Sequence, residues 1–435
     1  MKKYVFFNAL VAALGGFLFG FDTAVISGAE QSIQNLWQLN DLMHGLAVAI
    51  ALYGTVIGAM VGGIPSNKFG RKKTLIAIGA LYFISALGSA MAPEIISFML
   101  FRFIGGVGVG VSSVTAPMYI SEISPAKSRG SLVALFQFNV VLGIFIAYLS
   151  NYAIETAFGS SWRLMLGIES VPALIFFLLA LFIPESPRWL LLHENNEDKA
   201  RDILSKTDPE NVEKSLVAIK ESRITKKESL FTKKFSKPVM LAFLFAFFNQ
   251  FAGINAIIYY APRIFELTGL SADSSLISTA GIGLINLIFT MLGMVVIDRA
   301  GRKLLMYIGS VGLIATLSLV SNAFFTKEFE FVSYYFFVYI AFFALSQGAV
   351  IWVFISEIFP NVVRAYGQAL GSFTHWIFAA IIANIFPLFV NSYDPGYIFG
   401  FFAFMMVLQL LYVWKLMPET KGVSLEEIQD KLGIH

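Results

Sequence analysis

Asp22, Arg102 and Glu169 stand inside long apolar runs rather than at their ends. A charge within a membrane-length segment costs on the order of 2.5–3.5 kcal/mol on insertion scales, so such residues are normally paired, buried and functional. If the three face one another, two acids compete for one guanidinium. Both carboxylates cannot be comfortably ionised there, so one is expected to take up and release a proton. The plain alternative is a structural Asp22–Arg102 pair that ties two helices together. A second chemistry is offered by polar and aromatic side chains in otherwise apolar runs: Gln137, Asn249, Gln250, Asn255, Asn286, Trp352, His375 and Trp376. Amides offer hydrogen-bond donors and acceptors and indoles an apolar platform, so together they suit a small polar ligand. The bland reading of a lone amide in a membrane helix is interhelical glue. A third set, Arg71, Glu122, Arg129, Glu185, Arg188, Arg299, Glu357 and Arg364, lies where apolar runs give out. Exposed ion pairs contribute only about 0–1 kcal/mol each, so solvated helix ends explain this set unless it recurs in a pattern.

Enzyme chemistry has no support, because the chain carries no nucleophile–base pair, metal-ligand cluster or phosphate loop. It has no cysteine, which excludes a disulfide framework and a thiolate metal site. Gly105, Gly106, Gly108 and Gly110 imitate a dinucleotide loop, but no strand precedes them. In a membrane-length run they offer instead a smooth face that a neighbouring helix can approach closely.

The elements that position these residues follow from composition. The 435 residues are 57% hydrophobic and only 14% charged, with a mean hydropathy of +0.73. A soluble protein carries about 25% charged residues, so the chain reads as an integral membrane protein. Crossing roughly 30 Å of hydrocarbon takes about 20 apolar residues. Twelve runs are long enough: 5–28, 44–65, 74–93, 96–121, 132–152, 163–183, 239–262, 275–297, 304–324, 334–356, 366–390 and 396–417. They are continuous rather than alternating, so they are helices. The first run imitates a signal peptide, but it exceeds a 7–15-residue h-region and contains Asp22, so it reads as a retained helix. Of the 31 Lys and Arg, only Arg163, Arg263 and Lys327 fall at or near the outer side when the N-terminus is placed inside, and Arg102 lies within the membrane. This bias predicts cytoplasmic termini, and it explains the basic patches without any nucleic acid. Counted from the outer ends of their helices, Asp22, Arg102 and Glu169 all fall about 8–9 Å deep.

The hydrophilic segment 185–237 reads as a cytoplasmic linker with short helices near 195–205 and 209–223, packed against the ends of the bundle. Ser424 and Glu427 form a capping-box pattern for a last short helix. The predicted organisation is an N-terminal six-helix bundle (1–184), the linker (185–237), a C-terminal bundle (238–417) and a tail (418–435). The halves repeat one another. Asn67-Lys68-Phe69-Gly70-Arg71-Lys72 answers Asp298-Arg299-Ala300-Gly301-Arg302-Lys303. Ser121-Glu122-Ile123 with Arg129 answers Ser356-Glu357-Ile358 with Arg364, and Pro184-Glu185-Ser186 answers Pro418-Glu419-Thr420. Three unrelated motifs at one near-constant offset indicate internal duplication. Parallel repeats of this kind are the architecture of transporters that rock around a central site.

PESPRWL (184–190), PETKG (418–422), NQFAGINAIIYYAP (249–262) and the doubled GRK and SEI…P…R elements together resemble the sugar porter branch of the major facilitator superfamily, its proton–sugar symporters and facilitative carriers. The resemblance implies an all-α membrane protein of twelve helices in two pseudo-symmetric bundles. It also implies a secondary active transporter that moves a monosaccharide inward with a proton. Asp22 matches the acid that proton-coupled members carry, and Glu169 a second acid of symporters. Gln137, Gln250, Asn255, Asn286 and Trp352 match sugar-contacting positions, and Phe19 and Trp376 match aromatic positions lining the cavity. Tyr259 and Tyr260 fall at the outer gate. The charge-rich set becomes an inter-domain latch closing the cytoplasmic side, so breaking Arg129 or Arg364 should favour inward-open forms.

Departures from the family pattern bear on the sugar: Asn249 replaces the first Gln of a Gln-Gln pair, Ile144 a ligand glutamine, and His375 a Gln, Asn or smaller residue. Asn67 replaces the usual aspartate of the first loop. A hexose is preferred over a pentose. No metal or cofactor is expected, the proton gradient being the driving force. The expected partners are the sugar, the proton and the lipid bilayer; no oligomer is required, and a bacterial inner membrane is the expected location. The alternatives are an uncoupled facilitator, for which Asp22 and Glu169 are awkward, and a transporter-like sugar sensor, for which the segment after Met417 is short.

Overall fold

The computed structural model describes residues 3–125, 127–221, 228–360, 362–423 and 425–434. Among these residues regular structure is helical throughout, without strands. Twelve helical segments are long and apolar enough to cross a membrane. Spans 1 to 6 are Lys3–Gly28, Asp41–Val61, Arg71–Met91, Ile95–Ile123, Arg129–Phe158 and Trp162–Ala180. Spans 7 to 12 are Lys233–Leu267, Ala272–Ala300, Arg302–Thr326, Val332–Ile358, Arg364–Ser392 and Pro395–Lys415. Each overlaps one of the twelve apolar runs, and most extend further, because a helix continues into polar residues once it leaves hydrocarbon. The face where span 1 begins also carries the helices within 185–221 and is called the basic face; the other is the opposite face.

Several spans are interrupted, and each interruption has a cause. Span 7 breaks at Gly253, whose φ of +86° is left-handed and costs a glycine nothing. Pro262 in the same span cannot donate to the carbonyl of Ile258, and Pro387 in span 11 cannot donate to that of Ala383. Both orphaned carbonyls are taken by tyrosines: Tyr148 donates to Ile258 and Tyr260 to Ala383, each at 2.8 Å. Tyr339 does the same for Ala252 at the Gly253 break, also at 2.8 Å. In a medium without water these hydroxyls replace the missing helix partners. Span 10 contains a π turn at Ala344–Gly348, and span 6 is interrupted between the helices Trp162–Gly167 and Ser170–Ala180.

Contacts group the chain into two compact units. The first comprises Met1–Val25, Ile50–Ala147 and Ser161–Lys226; the second comprises Ile26–Ala49, Tyr148–Ser160 and Lys227–His435. In the first, glycines carry the helix crossings: a Cβ on Gly106 would meet the backbone of Ala51, and one on Gly58 the backbone of Val107. Span 1 meets span 5 in the same way through Gly20 against Val140 and Gly143 against Phe17. On the basic face, helices Pro187–His193, Glu197–Thr207 and Val212–Glu221 share a small core of Trp189, Leu190, Leu191, Ala200, Ile203, Leu204 and Leu216. Ser186 caps the first, accepting from the Trp189 amide at 3.1 Å, with Pro187 at its first position. The Trp189 indole donates to the Asn67 carbonyl at 2.7 Å, docking this segment against the end of the helical bundle, as expected. In the second unit, the opposite-face ends of spans 1, 2 and 5 pack with helices of the later half. The tail forms the helix Leu425–Leu432; Ser424, the expected cap, lies outside the described residues.

Candidate functional site

In the first unit the sequence's three intramembrane charges converge. Asp22 lies near the end of span 1, Arg102 in the second turn of span 4, and Glu169 at the interruption of span 6. All three are at most 2% exposed. One Arg102 Nη donates to the Asp22 carboxylate and the other to the Asp22 backbone carbonyl at 3.1 Å. The Asp22 and Glu169 carboxyls are within hydrogen-bonding reach of one another. Gly105 makes the approach possible, since a Cβ there would collide with Ser85 and stand 3.7 Å from an Asp22 carboxylate oxygen. One Glu169 oxygen, Arg102 Nε and the Tyr82 hydroxyl have no hydrogen-bond partner. The constellation therefore has one fixed positive charge, two carboxyls and unused hydrogen-bonding capacity in a dry site, and one proton makes it neutral. Tyr82, buried beside both acids, was not singled out by sequence, because a tyrosine in an apolar run is unremarked. Phe19 and Gln137 are also in this unit; both are half-buried, and the Gln137 amide makes no hydrogen bond among the described residues.

In the second unit the break at Gly253 brings Gln250, at the end of one helix, against Asn255, at the start of the next. Asn255 Nδ2 donates to Gln250 Oε1 at 2.5 Å, and Gln250 Nε2 donates to Asn249 Oδ1 at 3.0 Å. Gln250 Nε2 also lies 3.0 Å from a ring nitrogen of His375. The His375 ring sits 5.1 Å from that of Trp352 and 4.7 Å from that of Trp376. Asn249, Gln250, Asn255, Trp352, His375 and Trp376 thus make one amide and aromatic cluster. Asn286 is buried on span 8 and accepts from Thr290 at 3.3 Å rather than from this network. Gln347, missed by sequence, lies in the π turn: its backbone carbonyl faces the Asn249 amide at 3.5 Å, and its own Oε1 is unpartnered. Tyr259 and Tyr260 are fully buried, and Tyr260 is committed to Ala383.

The repeated charges form one motif twice, once in each unit. Arg71 Nε and Nη2 grip Glu122 at 2.8 and 2.9 Å, and Glu185 accepts from the backbone amides of Arg71 and Lys72. Arg302 Nε and Nη2 grip Glu357 at 3.0 and 2.7 Å, and Glu419 accepts from the amides of Arg302 and Lys303. Each capping acid therefore lies at a helix N-terminus, where the amides and dipole favour an anion. Gly70 and Gly301, with φ of +94° and +93°, let it in, since a Cβ on either would strike the acid. The expected set named Arg299, but Arg302 makes these contacts: the repeat aligns Arg302 with Arg71, and Arg299 is exposed one turn away. Glu419 was absent from the expected set. Arg129 begins span 5 without an ion pair among the described residues, Arg364 donates to the Phe359 carbonyl at 3.3 Å, and Arg188 is exposed on its helix.

The sequence profile described as "Sugar (and other) transporter" matches residues 8–432. The chain is 37% identical to the D-xylose-proton symporter of Escherichia coli, over 98% of this chain and 96% of that one. It is 36% identical to the arabinose-proton symporter of Bacillus subtilis (98% and 94% covered) and 36% identical to the glucose transporter GlcP of Staphylococcus epidermidis (99% and 97%). Its structure matches an inward-open conformation of the E. coli xylose transporter XylE with a TM-score of 0.88 at 35% identity, covering 98% of this chain and 100% of that one. These are transporters, not enzymes. With twelve spans, duplicated motifs and a match over nearly its whole length, the chain belongs to the sugar transporter family, the sugar porter branch of the major facilitator superfamily.

Proposed function

We propose that this protein is a proton-coupled monosaccharide symporter working by alternating access, its halves 1–184 and 238–417 rocking about a central site. The observation that carries the reading is the buried trio in which Asp22 and Glu169 share one guanidinium, Arg102. A proton on the acids loosens the hold on Arg102 and biases the outward–inward equilibrium. The amides of Gln137, Asn249, Gln250, Asn255 and Asn286 and the rings of Phe19, Trp352, His375 and Trp376 hold the sugar. Tyr259 and Tyr260 belong to the outer gate. The two arginine–glutamate motifs, with Arg129, Arg188, Arg299 and Arg364, act as the cytoplasmic latch. The basic face is cytoplasmic, in a bacterial inner membrane, and one copy suffices.

The sequence favours a hexose, whereas relatives named for xylose and arabinose weigh toward a pentose. D-xylose and D-glucose differ by one hydroxymethyl group, so the choice turns on whether the pocket has room for that group and a hydrogen-bond partner for its hydroxyl. The test uses sealed proteoliposomes with an internal pH dye, to which xylose, arabinose, glucose, galactose and fructose are added singly. Acidification with one sugar is expected. Asp22→Asn should retain sugar exchange and lose uphill accumulation; retained accumulation would sink the coupling role. Sugar entry without a pH change would leave a facilitator.

A further inference from the structure

Glu30, His44 and Arg263 form a second buried charge cluster, at the opposite-face ends of spans 1, 2 and 7, which none of the roles above uses. Glu30 opens the short helix Glu30–Leu36, His44 lies in the first turn of span 2, and Arg263 follows Pro262 in span 7. Glu30 and His44 are 0% exposed. His44 Nε2 stands 2.6 Å from one Glu30 oxygen, and Arg263 Nε stands 3.6 Å from the other. Arg263 also donates to Gln34, and Gln31 donates to Glu266 at 2.9 Å. Among the described residues the Tyr260 ring also faces His44, edge-on at 6.1 Å. Asp41, earlier on the same span, accepts from Asn391 of span 11 at 2.6 Å.

Neither Glu30 oxygen and neither His44 ring nitrogen makes an aligned hydrogen bond. A neutral imidazole so placed gives a buried carboxylate little, whereas an imidazolium supplies the charge that burial demands. Arg263 approaches Glu30 only at 3.6 Å and is engaged by Gln34, so a proton on His44, at 2.6 Å, supplies the nearer positive charge. Separating span 2 from span 7 would hydrate every member and remove the need for that proton.

We propose that Glu30, His44 and Arg263 form a proton-binding lock that holds the opposite face closed while His44 is charged and loosens when it is neutral. The proposal rests on the alternating-access reading but not on the coupling role of Asp22.

The chain has no cysteine, so Leu42→Cys and Tyr393→Cys, both at exposed positions, can be spin-labelled alone. Their separation would be measured in full-length protein in nanodiscs without sugar, between about pH 8 and pH 5, where a histidine changes charge. An Asp22→Asn, Glu169→Gln background removes the other proton site. The short-distance to long-distance ratio should rise with acid, by at most about tenfold per pH unit, the limit for one linked proton. His44→Gln and Glu30→Gln should flatten the response, and His44→Lys should hold the short distance at every pH. A pH-independent ratio in the background protein, or an unchanged response in His44→Gln, would overturn the lock. Absence of uphill sugar accumulation by the unsubstituted protein, with an intact pH response in this assay, would count against the symport reading alone.

Discussion

Glu185 and Glu419 occupy the same place in the two repeats under different electrostatics. Burial pushes the Glu185 carboxyl above its ordinary value of 4.5, against the opposing amides of Ser186, Lys72 and Arg71. Burial acts upward on Glu419 too, but the amides of Lys421, Lys303, Arg302 and Thr420 together hold it below 4.5. A lowered acid contributes stability that is present above its unfolded value and lost as pH falls through the folded one. A raised acid contributes stability that is present below its unfolded value and lost as pH rises through the folded one. Glu419→Gln should therefore cost about 1 kcal/mol at pH 7, the charge-assisted hydrogen bonds being discounted for partial exposure. That loss should shrink toward pH 4, and Glu185→Gln should cost less at pH 7. Thermal unfolding of the two variants in detergent at both pH values checks this, and equal losses would contradict it.

Helix crossings in the first unit depend on which face of span 4 each glycine occupies. The Gly106 face meets the backbone of Ala51, which cannot move aside, while a Cβ on Gly108 would find Leu81 Cβ at an ordinary 3.5 Å. Overpacking costs typically about 1–3 kcal/mol and more where backbone is struck. Gly106→Val should thus lower the melting temperature markedly or abolish folded yield, and Gly108→Ala should be nearly neutral. Fluorescence-detected size exclusion with a temperature ramp reads both. The run of glycines was legible as a contact face from sequence. Its partner was not, because small residues record that a helix comes close but not which one. The tyrosine–proline pairings were equally hidden: Tyr148 and Tyr260 serve carbonyls 110 and 123 residues away in the chain.

Topology is the property of the whole molecule that lysine and arginine placement predicts. Ser229 precedes span 7 and Glu330 lies between spans 9 and 10, so three spans separate them, and both are exposed. With no native thiol, Glu330→Cys should react with an impermeant maleimide in intact cells. Ser229→Cys should react only after permeabilisation. The reverse pattern would invert the orientation and the sign of every transport prediction.

Sequence by itself determined the twelve spans, because a chain in hydrocarbon must satisfy its own backbone and writes each helix as an apolar run. It also determined the duplication and singled out Asp22, Arg102 and Glu169, which the structure buries together, since a charge inside such a run is conspicuous. Only tertiary structure decided which groups meet. Arg302 rather than Arg299 grips Glu357, Asn286 stands apart from the Gln250 network, and Glu30 and His44 are dry. These last two sit at the ends of runs, where polar residues are commonplace and nothing local records burial. Burial there is set by helices that come from distant parts of the chain.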